Sequence, residues 1–381
     1  MFSNSFIPDM RFGAGTFSEV GAAAAGLGDI SRALVVMDSF LAASGLANRL
    51  IDDLRAHGII ASLFADFAGE PKLSHLQAAT RAARGAQAVI GVGGGSALDV
   101  AKIAACCAAS GQDPMSYALA ARQLPNNPLK KILLPTTAGT GSEMSATSIF
   151  TGPEGKKLWI WGAQTKADLV ILDPALTVSL PPHLTAWCGM GAFIRAFEAA
   201  TNRNTHAGAQ LHAYEAMRLI AGALETAVKI PTDLDARGKV LLGSSYAGIA
   251  VDNCGTAVAH NIGHALAGLA PVHHGLAAAL GFEATLAWLV ASPTVALDAA
   301  AKALGLTSLD KLPAFVSDLM DRCDIRRALP AAFAAYSAND LADEMLATEN
   351  RPMRRATARD VSELDVERFA GMVMSLPTVP A

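Results

Sequence analysis

The stretch Ala88-Val89-Ile90-Gly91-Val92-Gly93-Gly94-Gly95-Ser96-Ala97-Leu98-Asp99-Val100-Ala101-Lys102 constrains this chain more than any other. It starts as a short apolar run rich in β-branched residues, the pattern of a buried parallel strand. Three consecutive glycines break the run, and Ser96 is placed to cap a helix that begins at Ala97. A strand, a glycine turn and a helix N-terminus together aim bare backbone N–H groups and a positive dipole end at one point, which makes a phosphate site. Leu98 stands where the dinucleotide fingerprint G-x-G-x-x-G has its last glycine, and the turn lies well into the chain rather than on the first strand. A plain Rossmann arrangement is therefore not the expectation.

The flanking pattern alternates. Arg32 to Asp38 reads as a core strand ending in an acid, Gly45 to His57 as a helix and Ile59 to Phe67 as a strand. Leu73 to Arg84 reads as a helix leading into the glycine stretch, and Lys131–Pro135 and Asp168–Leu172 as further strands. Such alternation predicts a doubly wound α/β domain with parallel strands. After Leu180-Pro181-Pro182 the chain turns rich in Ala and Leu with few β-branched runs, which predicts an all-helical second domain. The expected domains are residues 1–180 and 181–381, two cores being the default for 381 residues.

Thirty basic residues against 34 acidic ones leave a net charge of −4, which gives no electrostatic reason to expect nucleic acid. Five cysteines without a CxxC spacing argue against a disulfide framework. The first twelve residues lack the basic and apolar regions of a secretion signal, and no apolar stretch is long enough to span a bilayer. A cytoplasmic protein without membrane partners is expected, and a homodimer.

Three further constellations carry chemistry. Thr136-Thr137-Ala138-Gly139-Thr140-Gly141-Ser142-Glu143 follows a strand with small hydroxyl and glycine residues that could approach a cofactor closely. Asp38, at a strand end, suits a ribose diol and would repel a 2′-phosphate, which favours NAD over NADP; a helix-capping aspartate fits the same position. His260 and His264 are four apart on one helix face, and His273-His274-Gly275 follows closely, which points to a metal or acid–base site over buried structural histidines.

Together these pieces resemble the group III, iron-containing alcohol dehydrogenases within the dehydroquinate-synthase-like fold. The resemblance runs from Phe6-Ile7-Pro8 and Phe12–Gly15 through Gly93–Lys102, Leu134–Glu143 and Asp173-Pro174 to His260…His274-Gly275. It implies an N-terminal NAD(P)-binding domain, a helical C-terminal domain and hydride transfer in the cleft between them. It also implies that Asp38 binds ribose and that Gly94, Gly95, Ser96 and Asp99 form the pyrophosphate turn. Thr136, Thr137 and Thr140 would line the adenine and ribose loop, with Lys157 near the nicotinamide ribose.

The chain departs from the family at the metal. The family holds its divalent ion with an Asp and a His four apart on one helix and two histidines fourteen apart. His260 and His274 keep the latter pair, but Gly191 and Arg195 stand where the Asp and His are expected. Two imidazoles beside a guanidinium make a poor site for Fe²⁺ or Zn²⁺. A rebuilt zinc site would need Cys188, which can share a helix face with positions 191 and 195. The expectation is an NAD(H)-dependent oxidoreductase that interconverts an alcohol and an aldehyde, ketone or keto acid without a complete metal site. Arg195 would hold the charge that a metal supplies, with His260, His264 and His274 around it and His264 as acid–base or positioning group. An i,i+3 ion pair of Arg195 with Glu198 is the structural alternative. An NAD-binding pseudoenzyme acting as a sensor or partner protein is the functional one.

Overall fold

The computed structural model describes residues 2–379, which divide into two compact units. One contains residues 5–137 and 141–179; the other contains 180–379 together with 2–4 and 138–140. The first unit carries strands β1 (Asp9–Phe12), β2 (Arg32–Val36), β3 (Ile60–Phe64), β4 (Ala88–Gly93) and β5 (Lys130–Pro135). It also has a hairpin of β6 (Thr147–Thr151) and β7 (Lys157–Trp161), followed by β8 (Leu169–Leu172). Six of the strands form one parallel sheet in the order β1-β8-β5-β4-β2-β3. Helices α1 (Val20–Ala25), α2 (Ser39–Ala43), α3 (Leu46–Ala56), α4 (Leu73–Ala82) and α5 (Gly95–Cys107) connect them.

Side-chain pattern explains the layers. β4 lies between β2 and β5, and all six of its residues are buried, as a strand covered on both faces requires. Leu46, Leu50 and Leu54 recur every fourth residue along α3 and form its buried face against Phe17, Val20 and Met37. The expected doubly wound α/β domain is the fold observed, with strand and helix ends shifted by a few residues.

Three local expectations need correction. The helix after the glycines starts at Gly95 and is capped by Gly94, so Ser96 lies inside its first turn. The third strand ends at Phe64, beyond which the chain crosses back and Phe67 O accepts the N–H of Ser39. The β6–β7 hairpin was not expected, and neither was β1, which is only four residues long with every one of them exposed. β1 is held instead by its ladder to β8 and by buried Asp173, whose carboxylate accepts the N–H groups of Gly15 and Phe17 at 3.0 Å each.

The second unit is built of helices α6 (Pro182–Thr201), α7 (Ala207–Lys229), α8 (Leu234–Cys254), α9 (Val258–Leu269) and α10 (His274–Val290). They are followed by α11 (Val295–Ala303), α12 (Leu312–Arg322), α13 (Ala338–Leu346), α14 (Arg351–Ala356) and α15 (Glu363–Met374). A two-residue parallel pairing of Leu329–Pro330 with Thr378–Val379 is the exception to an all-helical domain. α6 is buried on nearly every face because small residues let its neighbours approach. A Cβ at Gly275 would stand 2.0 Å from Trp187 O, so the start of α10 touches α6 backbone to backbone. Among the described residues no helix is long and apolar enough to cross a membrane.

Residues 138–140 differ from the expected division at 180, since they belong with the helical unit. The reason is packing: a Cβ at Gly139 would stand 2.9 Å from that of Cys188, and Arg195 Nη1 donates to the Gly139 carbonyl at 2.7 Å.

Candidate active site

In the first unit, the turn between β4 and α5 has Gly93 at φ +148, where a side chain would be strained and would strike Ala97 Cβ at 2.7 Å. Ala97 and Leu98 return their N–H groups to Gly94 O at 3.0 and 3.2 Å. The amides before them, those of Gly95 and Ser96, begin the helix and have no carbonyl behind them in the helical pattern. Gly94 differs from Gly93. Its backbone is ordinary extended chain, and a Cβ there would meet only the Thr137 side chain at 3.5 Å. The protein has room for that atom, so the bare surface at Gly94 is available to a ligand.

Asp38 is a helix cap and also lies beside the glycine turn. Its Oδ1 caps α2 by accepting the N–H of Leu41 at 2.9 Å, while Oδ2 lies 3.7 Å from where a Gly93 Cβ would be. Thr136 donates its N–H to Gly93 O at 2.9 Å and Thr137 stands over Gly94, whereas Thr140 belongs to the stretch that joins the helical unit. Asp99 accepts from Ser142 Oγ at 2.5 Å and from the N–H of Ile149 at 2.9 Å. It also pairs with Lys102, whose wholly buried ammonium reaches Ser142 O and Oγ at 3.0 Å each. Asp99 thus fastens the segment after β5 to α5. Lys157, on β7, is paired with Glu70 and donates to Thr151 Oγ1 at 3.2 Å. Partial burial lowers its pKa from the ordinary lysine value.

In the helical unit the structure brings together Arg195 on α6, His260 and His264 on α9, and His274 at the start of α10. The His274 ring centroid is 5.4 Å from that of His260 and 5.3 Å from that of His264. A Cβ at Gly191 would stand 3.6 Å from Arg195 Nη1 and 3.1 Å from Gly275 Cα, so the guanidinium extends past the empty side-chain position one turn earlier. Burial, reinforced by Arg195, holds His274 well below the usual histidine range and lowers His260 despite the opposing pull of Glu198. Burial, with His183 and Arg195, pushes His273 down to about 4. These three imidazoles are neutral at pH 7. Cys188 faces His273, Sγ to Nε2 being 3.8 Å, and burial pushes its thiol up to about 12.

Glu198 was expected only as a possible partner of Arg195. Its buried carboxylate accepts the N–H of Ala257 at 2.8 Å and of Ala259 at 2.7 Å, capping α9 from a neighbouring helix. It also lies 2.6 Å from His260 Nδ1. That contact places the imidazole proton on Nδ1 and leaves the buried Nε2, which has no hydrogen-bond partner among the described residues, as a bare lone pair. Nothing in the spacing of Glu198 could have shown this, because its partners lie about sixty residues on. Glu198→Ala should lower stability by about 3 kcal/mol, since it strips the helix cap and a buried acceptor at once. An unchanged midpoint in denaturant unfolding would show that the cap is dispensable.

The chain is 31% identical over 365 residues to long-chain-alcohol dehydrogenase 1 of Geobacillus thermodenitrificans, covering 90% of each protein. Residues 8–174 match the family described as iron-containing alcohol dehydrogenase, and residues 185–364 its C-terminal family. The chain belongs to the iron-containing alcohol dehydrogenase family. A second relative, the sulfoacetaldehyde reductase of Bilophila wadsworthia, is 35% identical over 250 residues, covering 65% of this chain and 64% of that one. The crystal structure of sulfoacetaldehyde reductase from Bifidobacterium kashiwanohense, in complex with NAD+, superposes with a TM-score of 0.90 at 26% identity, covering 98% of this chain and 99% of the other. The fold of the iron-containing alcohol dehydrogenases therefore extends over both units described above.

Proposed function

We propose that this family member is an NAD(H)-dependent oxidoreductase that interconverts an alcohol and an aldehyde, ketone or keto acid, with Arg195 supplying charge that a metal provides in its relatives. The observation that carries the reading is the guanidinium of Arg195, set among neutral imidazoles beside the empty side-chain position of Gly191. The relatives named above are dehydrogenases and reductases, which favours an enzyme over a cofactor-binding partner protein.

The donor set does not fit a divalent ion. Gly191 offers no ligand, and Arg195 is a donor and a cation where an acceptor is needed. Among the described residues no group of three or more His, Cys, Asp or Glu side chains could hold a metal. Cys188 faces His273, its Sγ 3.8 Å from Nε2, and among the described residues it joins no such group with His260 and His274.

The first unit does fit a dinucleotide. Its pyrophosphate would lie on the amides of Gly95 and Ser96 against Gly94, with Thr136 and Thr137 beside the turn and Asp38 toward the ribose. When bound, NADH supplies the hydride that reduces the carbonyl carbon. Arg195 then aims N–H donors at the oxygen as negative charge grows on it. His260, its proton fixed on Nδ1 by Glu198, presents Nε2 as an acceptor that orients a substrate hydroxyl. His264 exchanges the proton between that oxygen and solvent. A guanidinium stabilises an oxyanion without lowering an alcohol's pKa as a metal does, which favours reduction of activated carbonyls.

Two measurements test this reading. Protein purified without chelator is assayed for zinc and iron, and for NADH oxidation with a panel of aldehydes and keto acids before and after chelation. Turnover that survives chelation is expected; stoichiometric metal whose removal abolishes turnover would refute the proposal. Cofactor choice gives the second. NADH should bind at least about tenfold more tightly than NADPH, and Asp38→Asn, which keeps the α2 cap but removes the charge, should narrow that gap. Equal affinities in the unmutated protein would remove Asp38 from the ribose site.

A further inference from the structure

The helical unit carries a second concentration of charge away from the histidines. Arg351, Arg354, Arg355 and Arg359 fall within nine residues of a chain whose net charge is −4. Arg351, Arg354 and Arg355 lie on α14, and Arg203 is brought alongside them by its N–H bond to Ala356 O at 2.7 Å. These four arginines, with Asp360 and Val361, line an open cleft of about 550 Å³. A second cleft of about 390 Å³ adjoins it, since Arg351 and Arg355 line both, and Asn204 and Thr348 add polar groups there.

In the cleft lining, four guanidinium groups face a single carboxylate. Asp360, the one carboxylate among the described lining residues, pairs with Arg203 at 2.8 Å and is itself highly exposed. Arg359 is turned away, donating to Trp288 O at 2.7 Å and stacking over the Trp288 ring. Arg354 donates to Leu346 O at 3.1 Å, but its buried Nε finds no acceptor among the described residues. Burial and then the neighbouring charge of Arg351 lower its pKa from the usual arginine value, with Glu363 opposing and Arg355 adding a smaller lowering. Like charges gathered in a cleft repel one another unless a counter-charge enters, and planar guanidinium forks match phosphate oxygens two at a time.

We propose that this cleft is a binding site for a multiply charged phosphate anion, held by Arg351 and Arg355 with Arg203 and Arg354 around it. The cleft also communicates with the histidine-bearing helix. Asn261, next to His260, donates to Met345 O at 3.0 Å and to Asn350 O at 3.2 Å, and Asn350 immediately precedes α14.

The site is tested by isothermal titration of the full chain with inorganic pyrophosphate and, separately, with ADP, at constant ionic strength. Because the glycine turn is also an anion site, both titrations use the Gly94→Val background, where the turn is blocked. One saturable equivalent per chain is expected, with affinity reduced at least tenfold by Arg351→Ala with Arg355→Ala. Each lost guanidinium–phosphate pair corresponds to about a tenfold change. Tighter binding of ADP would identify a nucleotide as the source of the phosphates, and tighter binding of pyrophosphate the free anion; either supports the site. Heat that fails to saturate, or affinity unchanged in the double variant, would overturn it. Circular dichroism of the double variant, whose arginines are largely exposed, establishes that it is folded.

Discussion

Gly94→Val is expected to weaken NADH binding by ~100-fold or more while leaving the protein folded. The two halves of that expectation rest on different observations. Folding is spared because Gly94 has ordinary extended backbone angles and a Cβ there makes only van der Waals contact with Thr137. Binding is lost because the side chain fills the surface on which a pyrophosphate approaches the first amides of α5. Gly93 would be the wrong residue to change, since its φ of +148 and the 2.7 Å approach to Ala97 Cβ make the fold itself depend on glycine. Fluorescence titration with NADH, alongside thermal unfolding, reads both halves. Undiminished affinity in a folded Gly94→Val protein would reduce the turn to a connector between strand and helix.

Arg195→Ala should cut the rate of carbonyl reduction by ~100-fold or more, as loss of an oxyanion donor does in other enzymes. The effect belongs in kcat rather than in NADH affinity, because the guanidinium stands in the helical unit among His260, His273 and His274. Arg195→Lys keeps a charge but loses the planar fork, and should recover only part of the rate. The variant has a second consequence. Arg195 depresses the pKa of all three imidazoles, so its removal should raise the pH at which they protonate and shift the acid limb of the rate profile upward. A full-rate Arg195→Ala enzyme would leave the guanidinium as a clamp on the Gly139 carbonyl and nothing more. Restoring the metal-binding pattern with Gly191→Asp and Arg195→His faces a local obstacle. A Cβ at position 191 lies only 3.1 Å from Gly275 Cα, so α10 must give way by a few tenths of an ångström.

What could be read from the sequence is what local pattern encodes. β4, the glycine turn and α5 follow from consecutive residues, and the four-residue recurrence of leucines in α3 marks its buried face. The structural roles that escaped notice depend on partners far along the chain. Asp173 closes on Gly15 and Phe17 more than 150 residues earlier, and this helps hold a four-residue strand whose apolar Met10 and Phe12 stay exposed. Lys102 would ordinarily be assigned to a solvent-facing helix position, yet its ammonium is wholly buried beside Asp99 and Ser142. Glu198 looked like a member of an i,i+3 pair on α6, and only the approach of α9 turns it into a cap and a histidine partner. The cap at Gly94 escaped for a different reason. Ser96 has the better capping side chain, but the helix already runs from Gly95, which leaves its hydroxyl inside the first turn rather than at the cap.

The carboxylate of Glu198 also bears on how such a protein can change over evolutionary time. The start of α9 and the ring of His260 are fastened by a side chain of the protein itself, so neither depends on a bound ion to stay in place. Positions 191 and 195 are thereby relieved of any duty to the scaffold through an ion. On the proposed function, a lineage could exchange carboxylate and imidazole for glycine and guanidinium there with only the local adjustment of α10 that a side chain at position 191 requires.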